Sequence, residues 1–250
     1  MNDILLSFIL GLVQGLTEFL PISSSAHLLF PTLIFGSNDL GLYFDISVHA
    51  GTLIAVVYYF RNQIFLMSKS LLVTNSFNED KNLAIQLITA TIPIVILGFI
   101  FRDLISQRIF SINDIAISNI IFASILLFAF LNNKGKKTLI NITILGACFI
   151  GLFQCFALIP GASRSGAAIT AGLLIGLSLK DASKFAFLLA IPTILGALTL
   201  LIFDLNNGNV SFDLLNISIG FFTSMIFAFF TIKLFLKLVE KIGMIPFVAY

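Results

Sequence analysis

The chain has 250 residues, of which 58% are hydrophobic and 10% charged, with a formal net charge of +2. Soluble domains carry about 25% charged residues, and 14 basic plus 12 acidic side chains cannot cover the surface of a soluble domain this long. Twenty-eight Phe and no Trp fit a lipid-facing composition, and the absence of a basic stripe excludes a nucleic-acid binder; the expected fold is all-α, a polytopic membrane protein.

The N-terminal MNDILLSF lacks a basic region and a small-residue cleavage site, so it does not read as a removed signal peptide. Residues 4–38 hold a single charge, Glu18, and are interrupted by Pro21 and the run Ser23-Ser24-Ser25. That stretch is too long for one crossing of about 20 residues and is broken at its middle. Residues 40–60 form a span that carries Asp45 and His49, four apart, which read as supporting or structural groups. Residues 62–82 read as a polar-ended connector with an interfacial helix near 64–73. Uninterrupted spans follow at 83–101, 115–131, 185–203 and 214–232, and loops at 132–137 and 206–209. Lys134, Lys136 and Lys137 suggest a cytoplasmic loop.

Residues 139–179 repeat the anomaly of 4–38: one charge, Arg164, and a break at Pro160-Gly161. Irregular backbone at membrane depth survives only when buried in protein or lining a wet cavity, so both regions are expected to be re-entrant helical hairpins. They also share a pattern. Gly11-Leu12-Val13-Gln14 precedes Phe19-Leu20-Pro21, and Gly151-Leu152-Phe153-Gln154 precedes Leu158-Ile159-Pro160; the Gln-to-Pro spacing is seven and six. Inverted repeats are expected within a single domain spanning 1–250, the first about 1–130 and the second about 138–250, with the site between them. Cys148 and Cys155 lie about 10 Å apart along a helix, too far for a disulfide, and read as packing residues.

An ionisable residue inside the membrane marks a functional site and needs a partner; Glu18 and Arg164 can serve each other or a charged ligand, and a purely structural ion pair is the alternative. Pro160-Gly161-Ala162-Ser163-Arg164-Ser165-Gly166 has the chemistry of an anion cradle: a helix start near Ser163, two hydroxyls and a guanidinium fork. The other cluster, Glu18, Ser23, Ser24, Ser25 and His27, supplies a candidate reaction centre. Ser24 and His27 are three apart and share a helical face, so the pair can form an activated nucleophile, with the carboxylate orienting the ring or acting as base. No tight ligand spacing identifies a metal site.

At these residues the sequence resembles the undecaprenyl-diphosphate phosphatases of the BacA type. One signature stands as Gln14-Gly15-Leu16-Thr17-Glu18-Phe19-Leu20-Pro21-Ile22-Ser23-Ser24-Ser25-Ala26-His27 and the other as Pro160-Gly161-Ala162-Ser163-Arg164-Ser165-Gly166-Ala167-Ala168. Lesser similarities run through residues 44–52, 185–192 and 243–250. Two features depart from the pattern: Ala168 stands where the signature has Thr, with Thr170 two residues on, and a further C-terminal helix is expected after Tyr250, as in a truncated chain.

The resemblance implies hydrolysis of undecaprenyl diphosphate to the monophosphate, recycling the lipid carrier for peptidoglycan synthesis in the bacterial cytoplasmic membrane. It implies Glu18, Ser24, His27 and Arg164 as catalytic positions, and Gln14, Ser23, Ser25, Gly161, Ser163, Ser165 and Thr170 as substrate-binding. It also implies a divalent cation, magnesium or calcium, at an unknown site; a polyprenyl diphosphate and membrane lipid are the expected partners, with a homodimer among the expectations. The rival reading is a transporter or flippase of a polyprenyl phosphate lipid, since broken-helix repeats suit transporters as well. The attacking group stays open among Ser24, His27 and water.

Overall fold

The computed structural model describes residues 2–72, 78–102, 111–135, 137–205 and 213–250. Val73 of the expected connector helix, Lys136 of the basic loop and the expected loop at 206–209 lie outside them. Among the described residues the chain is helical, with short 3-10 turns and one isolated bridge between Lys137 and Leu177. Five helices among the described residues are long and apolar enough to cross a membrane: α3 (Gly41–Tyr59), α5 (Glu79–Ile100), α6 (Ile112–Asn132), α9 (Leu179–Leu205) and α10 (Leu214–Ile242). They correspond to the five spans expected from hydropathy, and the protein is a multi-pass, all-α membrane protein. Between α3 and α5 the connector folds as α4 (Arg61–Leu72).

Helix ends depart from the apolar windows because caps, not hydropathy, set them. On α5 the Asn78 side chain accepts from the Asp80 amide, and Glu79 and Asp80 sit in the first turn, where carboxylates complement the helix dipole. The helix therefore starts four residues before its first apolar window. On α6 Ser111 and Asp114 form a reciprocal capping box. At the other extreme α10 runs on through Lys233, Lys237, Glu240 and Lys241 to Ile242, ten residues past its uncharged core.

The two anomalous regions fold as broken helices. In the first, α1 (Asp3–Thr17) stops one residue before Glu18 and α2 (Ser24–Phe35) restarts after the proline turn. In the second, α7 (Ile144–Gln154) tightens into a 3-10 turn over Cys155–Leu158, breaks, and resumes as α8 (Arg164–Leu174). Each of the four pieces, at most 15 residues long, is shorter than the roughly 20 residues a full crossing takes. The second break depends on Gly161, whose φ of 95° is open to glycine and whose missing Cβ leaves room for the Ile115 carbonyl of α6. Cys148 and Cys155 are both free thiols.

Small residues let the broken helices press against full-length ones. A Cβ on Gly11 of α1 would stand 2.8 Å from the Gly220 carbonyl oxygen of α10. Gly151 of α7 lies directly against the backbone of Ala90 on α5. Close backbone approach of this kind drives helix association where lipid removes the hydrophobic incentive. The same arrangement extends outward: α10 packs on both α1 and α3, and α5 packs on both α7 and α9. Phe19, Phe185, Phe187 and Leu188 fill the interior between them. On the outside, α5 exposes Ile88, Ile92, Ile96 and Phe99 along one stripe, a face suited to hydrocarbon. A short helix, α11 (Ile245–Ala249), follows α10 and rests against α6.

Candidate active site

The two breaks meet. Ser165 Oγ donates to the Leu20 carbonyl at 2.6 Å, Ser163 Oγ reaches the same oxygen at 3.4 Å, and the two hydroxyls lie 3.0 Å apart. Leu20 is free to accept from them because α1 has ended at Thr17 and no helix carries on through Leu20 to claim its carbonyl. Ser163 doubles as the N-cap of α8, accepting from the Gly166 amide at 3.1 Å. Helix α8 thus begins at the junction, and its first residue, Arg164, is aimed across it.

There Arg164 Nη2 donates to Glu18 Oε1 at 2.7 Å, and its Nη1 donates to the Ala186 carbonyl of α9 at 3.2 Å. The other carboxylate oxygen, Glu18 Oε2, accepts from Ser24 Oγ at 2.7 Å and from Gln14 Nε2 at 3.0 Å. His49 Nε2 of α3 stands 4.0 Å from that same oxygen. The Glu18 and Arg164 side chains are 8% and 12% exposed, which makes this a buried charge pair that binds one broken helix to the other. Of the partners the sequence left open for Glu18 and Arg164, each other or a charged ligand, the structure pairs them with each other. His49, read from the sequence as a supporting group, stands beside the carboxylate.

The reaction-centre cluster divides. Ser24 opens α2 on the Glu18 side, its hydroxyl committed to the carboxylate. His27, one turn on, faces elsewhere: Nδ1 lies 2.6 Å from the Ser23 carbonyl and Nε2 lies 3.0 Å from the Tyr250 hydroxyl. Shared helical spacing therefore does not produce a Ser24–His27 pair here, because the ring is held by its own helix start and by α11. Ser23 and Ser25 face each other, hydroxyl to hydroxyl, at 3.2 Å.

The anion cradle is also partly closed. Its two serine hydroxyls are directed to Leu20 and its arginine to Glu18, so its polar groups knit the junction together. Gly161 supplies the turn. Thr170 is buried one turn into α8 and donates to the Gly166 carbonyl at 2.7 Å; Ala168 beside it is buried as well. Ser163, Gly166, Thr170, Pro21, Asn119 and Tyr250 border an open cavity of about 350 Å³ next to the junction. The carbonyls of Leu20 and Ala186 and the hydroxyl of Tyr250 were not foreseen. Carbonyls leave no mark in a sequence, and a tyrosine 223 positions from His27 shows no local spacing to it.

For chemistry, the arrangement offers a hydroxyl and a guanidinium bonded to the two oxygens of one carboxylate, and an imidazole whose outer nitrogen meets Tyr250 of the cavity rim. Among the described residues no group of three or more His, Cys, Asp or Glu side chains could hold a metal ion.

Residues 7–250 match the family described as bacitracin resistance protein BacA. A protein of Alcanivorax borkumensis named undecaprenyl-diphosphatase is 44% identical over 247 residues, covering 98% of this chain and 93% of its own length. Namesakes from Saccharophagus degradans and Alteromonas mediterranea are 42% and 44% identical, over 99% and 97% of this chain and 94% and 92% of theirs. Both signature segments and every helix described above except the first few residues of α1 fall inside the matched region. The chain belongs to the bacitracin resistance protein BacA family.

Proposed function

We propose that the chain hydrolyses undecaprenyl diphosphate to undecaprenyl phosphate and inorganic phosphate, returning the lipid carrier to peptidoglycan synthesis in the bacterial cytoplasmic membrane. The observation that carries the reading is the buried Glu18–Arg164 pair with Ser24 on its second carboxylate oxygen, in a chain whose relatives are named undecaprenyl-diphosphatase. In this reading the two broken helices re-enter the membrane and the diphosphate reaches their junction with its prenyl tail still in lipid.

Ser24 Oγ attacks the terminal phosphorus, its proton passes to Glu18, and the anhydride bond breaks to release the prenyl monophosphate. Water then attacks the phosphoserine, giving its proton to His27 Nε2, and inorganic phosphate leaves as the Ser24 oxygen recovers its proton from Glu18. Arg164 stabilises charge on the phosphoryl oxygens, the largest contribution a site of this kind makes to phosphoryl transfer. Gln14 keeps the carboxylate oriented, while Ser163, Ser165 and Gly161 fix the start of α8 so that Arg164 points at the reacting group. Thr170 borders the cavity beside the junction, and the paired hydroxyls of Ser23 and Ser25 hold the start of α2.

A divalent cation would be held mainly by the diphosphate itself, since the described residues form no metal-binding cluster, and Glu18 would be its carboxylate ligand from the protein. Bound in that way it would neutralise oxygen charge on the diphosphate.

The experiment is inorganic phosphate release from undecaprenyl diphosphate by the purified protein in detergent, with no membrane gradient. Stoichiometric release is expected. Tight binding of the lipid diphosphate without release would favour a carrier or flippase.

A further inference from the structure

Among the described residues His27 meets two rings that the hydrolytic scheme leaves unused, Phe30 at 5.2 Å between centroids and Tyr250, and of these Tyr250 also brings a hydroxyl. His27 Nδ1 lies 2.6 Å from the Ser23 carbonyl oxygen. A carbonyl only accepts, so Nδ1 carries the proton, and in the neutral ring Nε2 presents a lone pair. The Tyr250 hydroxyl stands 3.0 Å from that nitrogen and is placed to donate to it. The two rings are nearly parallel, 12° apart in plane, with centroids separated by 5.7 Å. His27 is therefore gripped at both nitrogens and along its plane.

The grip is anchored. Tyr250 follows α11, which is seated by the fully buried Met244 and by Phe247, whose ring packs on Phe235 of α10 at 5.4 Å. Tyr250 also borders the 350 Å³ cavity together with Ser163 and Gly166 of the arginine-bearing break. One side chain thus spans from the imidazole of the first broken helix to the cavity at the start of the second.

We propose that Tyr250 is a positioning residue for His27: its hydroxyl fixes the imidazole with Nε2 as the acceptor nitrogen, beside the cavity that Tyr250 itself borders. The proposal rests on the hydrolase reading for its consequence on turnover, but the contact itself can be read without turnover. When substrate enters, the hydroxyl yields Nε2 to it or to the attacking water, while the stacked ring keeps the imidazole in place.

The test compares Tyr250→Phe, which keeps the stacked ring and removes only the hydroxyl, with Tyr250→Leu, which removes both. These 250 residues hold two histidines, so ¹⁵N-histidine labelling of this chain in detergent gives two imidazoles, and the His27 signals are those missing from His27→Gln. In Tyr250→Phe the His27 Nε2 resonance should move while the His49 resonances stay. Its kcat for undecaprenyl diphosphate should fall roughly five- to tenfold, the weight of one hydrogen bond, with KM nearly unchanged. Tyr250→Leu should lose more. An unmoved Nε2 resonance in Tyr250→Phe overturns the contact, and a moved resonance with unchanged kcat overturns the positioning role. If the wild-type protein releases no phosphate, the hydrolase reading fails and takes the kinetic half of the proposal with it, while the resonance still decides the contact.

Discussion

At the level of single residues, Glu18 is surrounded by Arg164, Ser24, Gln14 and His49 while almost wholly buried. A buried charge pair adds little net stability when intact, but removing one member strands the other. Glu18→Gln keeps the shape and removes the charge, so it should lower stability by about 3–5 kcal/mol, read as an earlier denaturant midpoint in detergent, and should abolish turnover. An unchanged midpoint would mean that water already solvates Arg164. Ser24 and His27 make a second prediction. With Ser24 on the carboxylate and His27 turned to Tyr250, Ser24→Ala should abolish turnover and leave lipid diphosphate binding largely intact, because the arginine lies on the other broken helix. Rapid-quench trapping with labelled substrate should place the label on Ser24; label on His27 would overturn the assignment, and no label would favour direct attack by water. The two charges were legible from their isolation in uncharged stretches. The ring direction of His27 was not, because it is set by a backbone carbonyl and by a residue at the far end of the sequence.

At the level of helices, hydropathy located all five long spans, and the interruptions at Pro21 and Pro160 foretold the two breaks. The ends of the spans were less legible, since the cap of Asn78 and the capping box of Ser111 and Asp114 act through individual hydrogen bonds that an apolar window averages away. The role of Gly161 was only half visible. Its place in a signature was clear, but its positive φ and the Ile115 carbonyl packed against it belong to tertiary structure. Gly161→Ala should therefore strain the break and push on α6, destabilising the protein by about 1–3 kcal/mol. A shift of the unfolding midpoint measures it, and Ala162→Gly, which removes a methyl from the same buried turn and adds nothing to it, serves as the comparison. Full stability in Gly161→Ala would show that the break does not need glycine.

At the level of the molecule, we propose that residues 1–130 and 138–250 are two related halves of one membrane domain. The supporting pattern is an exchange of equivalents: α1 of the first half packs on α10 of the second, and α7 of the second packs on α5 of the first, with Gly11 and Gly151 at matching places in the contacts. Each half then contributes one broken helix and one charge, and neither holds a complete site alone. The central claim is that Arg164 acts on the substrate across this junction and is more than a counter-ion to Glu18. Its fork reaches Glu18 and the Ala186 carbonyl through different nitrogens, which a lysine ammonium on a flexible stem cannot reproduce with the same geometry. The most direct measurement is phosphate release from undecaprenyl diphosphate by Arg164→Lys protein whose fold and lipid binding have been checked. A loss of roughly 10²-fold or more in kcat is expected, and near-normal turnover would contradict the account by reducing Arg164 to a structural counter-ion.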